Sequence, residues 1–317
     1  MRWIDAYFYQ PNIWQKALSI VLLPLSLLYG LCAYMRRKCA RFCDFSLPIV
    51  SVGNLIAGGS GKTPFIIETA RHFDKVAIVS RGYKRTSKGL VVVSEWGEIL
   101  ASQAESGDEP YLLARECKNA SVIVSKDRRE AILKAKQMGA KVIFLDDGFR
   151  FRFAKLNIVL LPLLEPYFSF CLPSGIYREF PNAYKEADIL VREGIDYTRE
   201  VKVENPTPRM LLLTAIANPA RLDVFLPSVV GKITLSDHAT FDKAFLQQAI
   251  ERYNATSLLV TSKDEVKLLE SGFNLSVMRL RLKLADSIIE RIKAYVKGFE
   301  KDNALQESIN SRKILKT

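Results

Sequence analysis

The sequence is poor in the residues that most often form metal sites and covalent cross-links. Its five cysteines, at positions 32, 39, 43, 117 and 171, form no C-x-x-C pair, and only two histidines occur in 317 residues. An odd number of scattered cysteines argues against a disulfide framework and against a zinc site. We therefore expect a protein of a reducing compartment.

The chain also lacks the features of a disordered or a nucleic-acid-binding protein. It has no low-complexity tract, no internal repeat and no arginine-rich run with interleaved aromatic residues. Its 49% hydrophobic and 25% charged residues are typical of a folded protein long enough for two domains. Because a positive field concentrates anions, the formal net charge of +12 favours an anionic membrane or an acidic substrate, with no nucleic acid and no obligate protein partner expected.

Charge is missing altogether from one long segment near the N-terminus. Residues 17–35 carry no charged side chain, and the basic run "RRKCAR" (36–41) follows at once. As a helix, this segment reaches about the thickness of the hydrocarbon core of a bilayer. A buried core helix is the alternative. A cleaved signal peptide is disfavoured by the length of the apolar run, by the positive charge behind it and by the lack of a small-residue cleavage site.

We therefore predict membrane insertion of the N-terminal segment, with the basic residues of 36–41 at the lipid headgroups of the cytoplasmic leaflet. Pro24 and Gly30 leave open whether the helix spans the bilayer or only dips into it.

Beyond Asp44, short β-branched runs alternate with helical stretches, a pattern typical of a parallel α/β sheet. A polar segment with two prolines, 193–209, predicts a junction between two such units. The expected parts are a membrane segment over 1–44, a core domain over 45–192, a linker over 193–209 and a smaller α/β domain over 210–317. Predicted strands lie at 47–52, 75–80, 90–94, 121–125, 141–146, 156–161, 187–192, 210–216, 231–235 and 257–262, and predicted helices begin near 62, 108, 127, 240 and 264.

One glycine is missing from a stretch that otherwise looks like a phosphate-binding loop. The pattern G-x-x-x-x-G-K-[ST] requires glycine at position 56 of "SVGNLIAGGSGKTP" (51–64), where the chain has Ile56. A buried strand precedes the stretch and an apolar helix follows it, which is the context such a loop needs. The alternative is a glycine-rich turn that happens to end in Gly-Lys-Thr.

Small residues let backbone N–H groups and a helix N-terminus turn toward one anion. In this hypothesis Lys62 reaches the β- and γ-phosphates of ATP, and the Thr63 hydroxyl binds Mg²⁺. The fold would then be a P-loop NTPase-like, mostly parallel sheet with helices on both faces. The predicted cradle comprises Ile56, Ala57, Gly58, Gly59, Ser60, Gly61, Lys62 and Thr63, and Asn54 would close it from the other side.

A carboxylate pair supports this prediction. The apolar run "KVIFLDDGF" (141–149) ends in Asp146 and Asp147, and the carboxyl ends of parallel strands meet at one edge of a sheet. We expect one of the two aspartates to hold Mg²⁺, directly or through water. The alternative is an aspartate pair that merely begins a turn before Gly148.

Phosphoryl transfer also needs a base for the acceptor hydroxyl. His72 lies in the helix after the loop and fits a structural role, whereas His238 lies in a polar turn with Asp237 before it. Asp108 and Glu109 precede a proline and an amphipathic helix, so they suit either helix capping or proton acceptance. Sequence spacing does not decide between these roles.

These motifs together resemble one family. In order they read "SVGNLIAGGSGKTP", "SRGYKR" (80–85), "GDEP" (107–110), "KDRREA" (126–131), "LDDGF" (145–149), "LPSGIYREF" (172–180), "AIANPARL" (215–222), "SDHATF" (236–241) and "TSKDEVKL" (261–268). In these motifs and in their order, the chain resembles tetraacyldisaccharide 4'-kinase, the lipid A 4'-kinase of Gram-negative bacteria.

The resemblance implies transfer of the γ-phosphate of ATP to the 4'-hydroxyl of lipid A disaccharide 1-phosphate, forming lipid IVA, at the cytoplasmic face of the inner membrane among anionic lipids. It assigns the base to Asp108 and His238 acting together across two domains. It also implies substrate contacts from a third set of residues, namely Asn54, Arg81, Arg128, Arg178 and Glu179.

The chain departs from the family pattern after "DDGF", where Arg150 and Phe151 replace the usual glutamine and histidine. Two alternatives stay open at this point. One is a membrane-associated P-loop ATPase or GTPase with another partner, and the other is a non-catalytic lipid-binding module with a vestigial loop.

Overall fold

The computed structural model describes residues 3–216, 218–237 and 239–299, and the strands within them form two sheets. The strands are β1 (Ile49–Gly53), β2 (Val76–Ser80), β3 (Val91–Glu95), β4 (Glu98–Ile99), β5 (Ala120–Val124), β6 (Val142–Asp146), β7 (Leu156–Leu160), β8 (Ile189–Val191), β9 (Tyr197–Glu204), β10 (Met210–Thr214), β11 (Gly231–Thr234), β12 (Ser257–Thr261) and β13 (Leu275–Leu284). The helices are α1 (Trp3–Tyr9), α2 (Ile13–Lys38), α3 (Lys62–Ala70), α4 (Gln103–Ser106), α5 (Asp108–Glu116), α6 (Arg128–Gln137), α7 (Lys243–Tyr253), α8 (Ser262–Glu265) and α9, described over 286–299.

The first sheet has eight strands in the order β4-β3-β5-β2-β6-β1-β7-β8. Its six strands from β5 to β8 are parallel, and β3 and β4 extend it as antiparallel strands. Every residue of β1, β2, β5 and β6 is buried, because helices cover both faces. Near-continuous apolar runs are the expected composition of such strands. The predicted parallel sheet with helices on both faces is confirmed.

Two apolar layers flank this sheet. On one side, Phe65 of α3 and Leu113 of α5 pack with Val50 and Ile78. On the other, Ile132 of α6 packs with the alternate strand residues, such as Val79. Because side chains alternate along each strand, the same strands contribute residues to both layers. Strands β1 and β6 are neighbours in the middle of the sheet.

The second sheet has five strands in the order β11-β10-β12-β13-β9, with β9 antiparallel to β13. The segment 193–209, expected to be a linker, therefore contributes an eight-residue edge strand. The part 210–317, expected to be a separate domain, sends α9 back to the first sheet, where Ile292 joins the apolar layer of α3. The segment 193–209 is therefore not only a linker, because it contains strand β9. The part 210–317 is not fully separate, because α9 packs on the first sheet.

Helix α2 packs against the segment that contains Ser174. Ser19 donates to the Ser174 carbonyl at 2.8 Å and Ser26 to the Ser174 hydroxyl at 2.8 Å. A Cβ at Gly30 would lie 2.6 Å from the Phe180 ring, so only glycine permits this close approach. The opposite face of α2 leaves large apolar side chains exposed, among them Leu18, Val21, Leu25, Leu28 and Leu31.

This helix has 26 residues, a mean hydropathy of 2.0 over its most apolar window, and 22% of that window buried against the protein. It is long and apolar enough to cross a membrane. The predicted N-terminal apolar helix that could anchor the protein to a membrane is confirmed in that sense.

Candidate active site

The loop between β1 and α3 forms the floor of the site. Gly58 and Gly61 adopt φ values of +101° and +84°, which favour glycine, and α3 begins at Lys62. Ile56 forms an isolated bridge with Tyr177, and the Ala57 N–H donates to the Ile176 carbonyl at 3.0 Å.

The bridge explains why position 56 needs no glycine. The first half of the loop is extended and pairs with the segment 176–178, and the Ile56 side chain is 6% exposed within an apolar cluster. Because the sharp bends lie further on, at Gly58 and Gly61, a β-branched residue fits the extended part.

Lys62 points its ammonium toward polar groups from three parts of the site. Its Nζ donates to Asn54 Oδ1 at 3.1 Å and to Ser60 Oγ at 3.5 Å, and it lies 3.9 Å from Asp147 Oδ1. The predicted cradle residues and the predicted carboxylates are therefore brought together.

Asp146 and Asp147 end β6 beside the loop, since Asp146 is in register with Val52 of β1. Asp146 is 6% exposed and accepts a hydrogen bond from Ser80 Oγ at 2.9 Å on its Oδ2. Its Oδ1 is buried and has no hydrogen-bond partner among the described residues. Burial raises the pKa of Asp146 to about 6, although Lys62 opposes that rise.

Asp147 has a different environment although it is the next residue. Arg178 pairs with it through two hydrogen bonds of 3.0 Å, the fork geometry that suits carboxylates. Burial alone would raise the pKa of Asp147, but the charges of Lys62 and Arg178 hold it at about 2. The two neighbouring carboxylates thus differ in their proton affinity, and Asp146 is the one with an open oxygen.

The other predicted substrate contacts fall into two groups. Arg81 is exposed at the end of β2, and Arg128 is 1% exposed with its Nε unpartnered within the described part of the chain. Glu179 is 8% exposed and forms an ion pair with Arg37 of α2 at 2.9 Å. In this structure Glu179 binds helix α2 through Arg37, and its contact with substrate stays a prediction.

The predicted base combines Asp108 with His238, and His238 lies outside the described residues. Asp108, the first residue of α5, is 9% exposed, accepts a hydrogen bond from Gln103 Nε2 and lies 3.4 Å from Lys267 Nζ. The same Lys267 ammonium donates to the carbonyl of Ala239 at 3.2 Å.

A second lysine makes a parallel connection. Lys263 Nζ lies 3.3 Å from Glu109 Oε1 and 3.3 Å from Asp237 Oδ1. The residues on either side of position 238 are therefore each linked by one lysine to the start of α5. Sequence reasoning did not assign roles to Lys263 or Lys267, although both lie in the quoted motif "TSKDEVKL".

The sequence matches one family of known proteins. A sequence model described as tetraacyldisaccharide-1-P 4'-kinase (LpxK) matches residues 18–209. The chain belongs to the tetraacyldisaccharide 4'-kinase family. It is 53% identical to the tetraacyldisaccharide 4'-kinase of Helicobacter pylori (strain 26695), over 93% of this chain and 95% of the relative, and 44% identical to that of Campylobacter jejuni (strain 81-176), over 94% and 97%.

A solved structure shares the fold. The crystal structure described as the "apo" form of LpxK from Aquifex aeolicus in complex with ATP aligns with a TM-score of 0.70 at 26% identity, over 89% of this chain and 99% of that one. The resemblance inferred from the nine motifs is confirmed, and so is the expected α/β fold with a large, mostly parallel sheet.

The departure from the family's 4'-kinase pattern at Phe151 has a structural counterpart. The Phe151 ring stacks on Phe153 at 5.4 Å, and the guanidinium groups of Arg128 and Arg150 lie 5.7 Å and 5.5 Å from its centre. An aromatic face attracts such cations. At position 151, for which the resemblance implies a histidine, this chain therefore has a ring that supports the buried Arg128.

Proposed function

We propose that this protein transfers the γ-phosphate of ATP to the 4'-hydroxyl of tetraacyldisaccharide 1-phosphate, forming lipid IVA in lipid A biosynthesis. Membership of the 4'-kinase family supports the reaction. The observation that carries the proposal is the meeting of Lys62, at the start of α3, with the aspartate pair at the end of β6, where Lys62 Nζ lies 3.9 Å from Asp147.

The loop binds the phosphates. Its backbone N–H groups and the N-terminus of α3 face the anion, and Lys62 adds a positive charge where charge develops during transfer. The ammonium of Lys62 now donates a hydrogen bond to Asn54 Oδ1. When a polyanion binds, its oxygens can replace Asn54 Oδ1 as the acceptor.

The residues present fit Mg²⁺. This ion prefers oxygen ligands and takes few from the protein, because phosphates and water supply the rest. The described residues hold no group of three or more His, Cys, Asp or Glu side chains suited to a metal, but Oδ1 of Asp146 is a buried carboxylate oxygen without a hydrogen-bond partner among them. We propose that Asp146 and the Thr63 hydroxyl hold Mg²⁺, which would neutralise phosphate charge. Asp147 orients Lys62 and Arg178.

We propose that Asp108 and His238 together accept the proton of the 4'-hydroxyl. Gln103 and Lys267 hold the Asp108 carboxylate in place. Asp108 begins α5, which packs on the first sheet, whereas His238 follows strand β11 of the second sheet in the sequence. Closure of the two parts would therefore assemble the base around the sugar and exclude water.

Helix α2 packs against the protein along its length and leaves an apolar face exposed. Buried residues occur along the whole helix, from Gln15 to Arg37, so the helix and the domain lie side by side. We propose that α2 inserts its exposed apolar face into the cytoplasmic leaflet without crossing it alone, with the basic residues of 36–41 at anionic headgroups. Acyl chains of the substrate lie in the same leaflet.

The reaction is tested by incubating purified protein with Mg-ATP and tetraacyldisaccharide 1-phosphate and detecting the added phosphate by mass spectrometry. Lys62→Ala or Asp146→Ala should remove nearly all product, and Asp108→Ala or His238→Ala should lower turnover by roughly 10², whereas the exposed Lys88→Ala serves as control. A double Asp108/His238 variant with normal turnover would disprove the proposed base. ATP hydrolysis that does not depend on the lipid would support the ATPase alternative.

The membrane contact is tested on the exposed face of α2 alone. Replacing Leu18, Leu25 and Leu28 by glutamine leaves the contacts of Ser19 and Ser26 intact and should release the protein from vesicles that contain anionic lipid. Unchanged vesicle binding would contradict the proposed orientation of the helix.

A further inference from the structure

Three charged side chains gather above the phosphate-binding loop, and none of them belongs to the loop. Glu193 follows β8, Arg199 lies in β9, and Arg221 lies in the 3₁₀ turn Pro219–Phe225. Arg199 Nε pairs with Glu193 Oε1 at 2.7 Å, and Arg221 Nη2 pairs with Glu193 Oε2 at 2.8 Å. One carboxylate therefore aligns two guanidinium groups.

Both arginines reach the loop itself. Arg221 Nη1 donates to the carbonyl of Gly59 at 3.3 Å. Arg199 Nη2 lies 2.9 Å from the position that a Cβ on Gly61 would occupy. Gly61 directly precedes Lys62, so the Arg199 guanidinium lies beside the part of the loop that faces phosphate.

Arg199 has an unused donor at this place. Its side chain is 13% exposed, and its Nη2 is buried without a hydrogen-bond partner among the described residues. Buried donors almost always have a partner, and a guanidinium nitrogen left unpaired is costly. An acceptor bound at the loop would satisfy it.

The charge balance also favours an anion. Two cations share one carboxylate in this cluster, which leaves an excess positive charge with little solvent around it. Burial lowers the pKa of Arg221, and the neighbouring charge of Arg199 lowers it further. Mutual repulsion of this kind is relieved when an anion binds between the two cations.

We propose that Arg199, aligned by Glu193 and accompanied by Arg221, binds the polyphosphate of the nucleotide from the second sheet. This inference rests on the proposed function, in which ATP occupies the loop. Arg199 is then a phosphate-binding residue, and Glu193 is a positioning residue because it acts through the two arginines.

The contact gives the nucleotide a role in assembling the site. Strand β9 pairs with β13, and β13 pairs with β12, which leads directly into α8 and Lys263. A phosphate held by Arg199 therefore draws toward the loop the same sheet that carries the lysine contacts to α5. Nucleotide binding should favour the arrangement in which the base is assembled.

The test is equilibrium binding of ATP, ADP and AMP to the full-length protein in detergent. Arg199→Gln should weaken binding of ATP by about 10- to 100-fold, the usual effect of losing a hydrogen bond to a charged group, and should leave AMP binding within about twofold. Arg199→Lys should lie between these values, and Glu193→Gln should weaken ATP binding less than Arg199→Gln. Arg281→Gln, on the neighbouring strand β13, is the matched control and should bind all three nucleotides normally.

Two outcomes would overturn the inference while leaving the kinase intact. One is unchanged ATP affinity in Arg199→Gln. The other is an equal loss of ATP and AMP affinity, which would show that Arg199 only stabilises the fold. Failure of the wild-type protein to bind ATP at all would instead overturn the proposed function, and this inference with it.

Discussion

Replacing Asp146 by asparagine should stabilise the metal-free protein at alkaline pH while abolishing its activity. Burial raises the pKa of Asp146 from 3.8 to about 6, so the folded protein prefers the protonated, neutral carboxyl. The stability that this group contributes is fully present below pH 3.8 and is lost as the pH rises through 6. Above that pH the folded protein holds a buried charge whose Oδ1 has no hydrogen-bond partner in the described part of the chain.

The size of the effect follows from the two pKa values. At about 1.4 kcal/mol for each pH unit between them, the ionised carboxylate costs about 3 kcal/mol at pH 8. Asparagine has the same shape, accepts the hydrogen bond from Ser80 and carries no charge. Asp146→Asn should therefore raise the free energy of unfolding by up to about 3 kcal/mol at pH 8, and the gain should shrink as the pH is lowered through 6.

The assay is urea denaturation of the full-length protein in detergent, without Mg²⁺ or nucleotide, between pH 4 and 8. Asp147→Asn is the matched control, since cationic partners hold the pKa of Asp147 at about 2 and the ionised form is the stabilising one. That variant should lose stability at pH 8, the opposite sign. Equal stability of Asp146→Asn and wild type at pH 8, or the same sign for both variants, would refute the reasoning.

Three further predictions concern contacts around the site. Lys263→Met removes the ammonium shared by Glu109 and Asp237, and it should lower kcat about tenfold without changing ATP affinity, as read from steady-state kinetics beside equilibrium binding. Arg178→Lys loses the paired hydrogen bonds to Asp147, and urea denaturation should show a loss of about 1–2 kcal/mol. Gly30→Leu should displace α2 from its docking surface at a cost of about 1–3 kcal/mol, seen as faster proteolysis between α2 and β1; unchanged proteolysis would contradict the packing.

The parallel strands could be predicted from the sequence because burial on both faces requires continuous apolar runs, and the chain contains them. Strand β9 could not be found in this way. Its sequence "YTREVKVE" alternates between buried or half-buried and exposed positions, but arginine, lysine and glutamate dominate its composition. Edge strands tolerate such residues. The polar composition of the segment therefore predicted a linker, although its alternation with a period of two is typical of a strand.

The site shows the same limit. Lys62 and the aspartate pair were predicted because a strand, a loop and a helix fix their positions locally. The contacts of Glu179 with Arg37, and of Lys267 with Asp108, join residues more than a hundred positions apart. No local pattern encodes such distances, and they exist only once the sheets have formed.

The segment around residues 174–179 connects helix α2 to the phosphate-binding loop. Ser174 and Glu179 bind α2, through Ser26 and Arg37, whereas Arg178 binds Asp147 and the Asn54 carbonyl of the loop. Since Arg178 and Glu179 are consecutive, a shift of one moves the other. A displacement of α2 would therefore reach Asp147 through two side-chain contacts, Arg37 with Glu179 and Arg178 with Asp147.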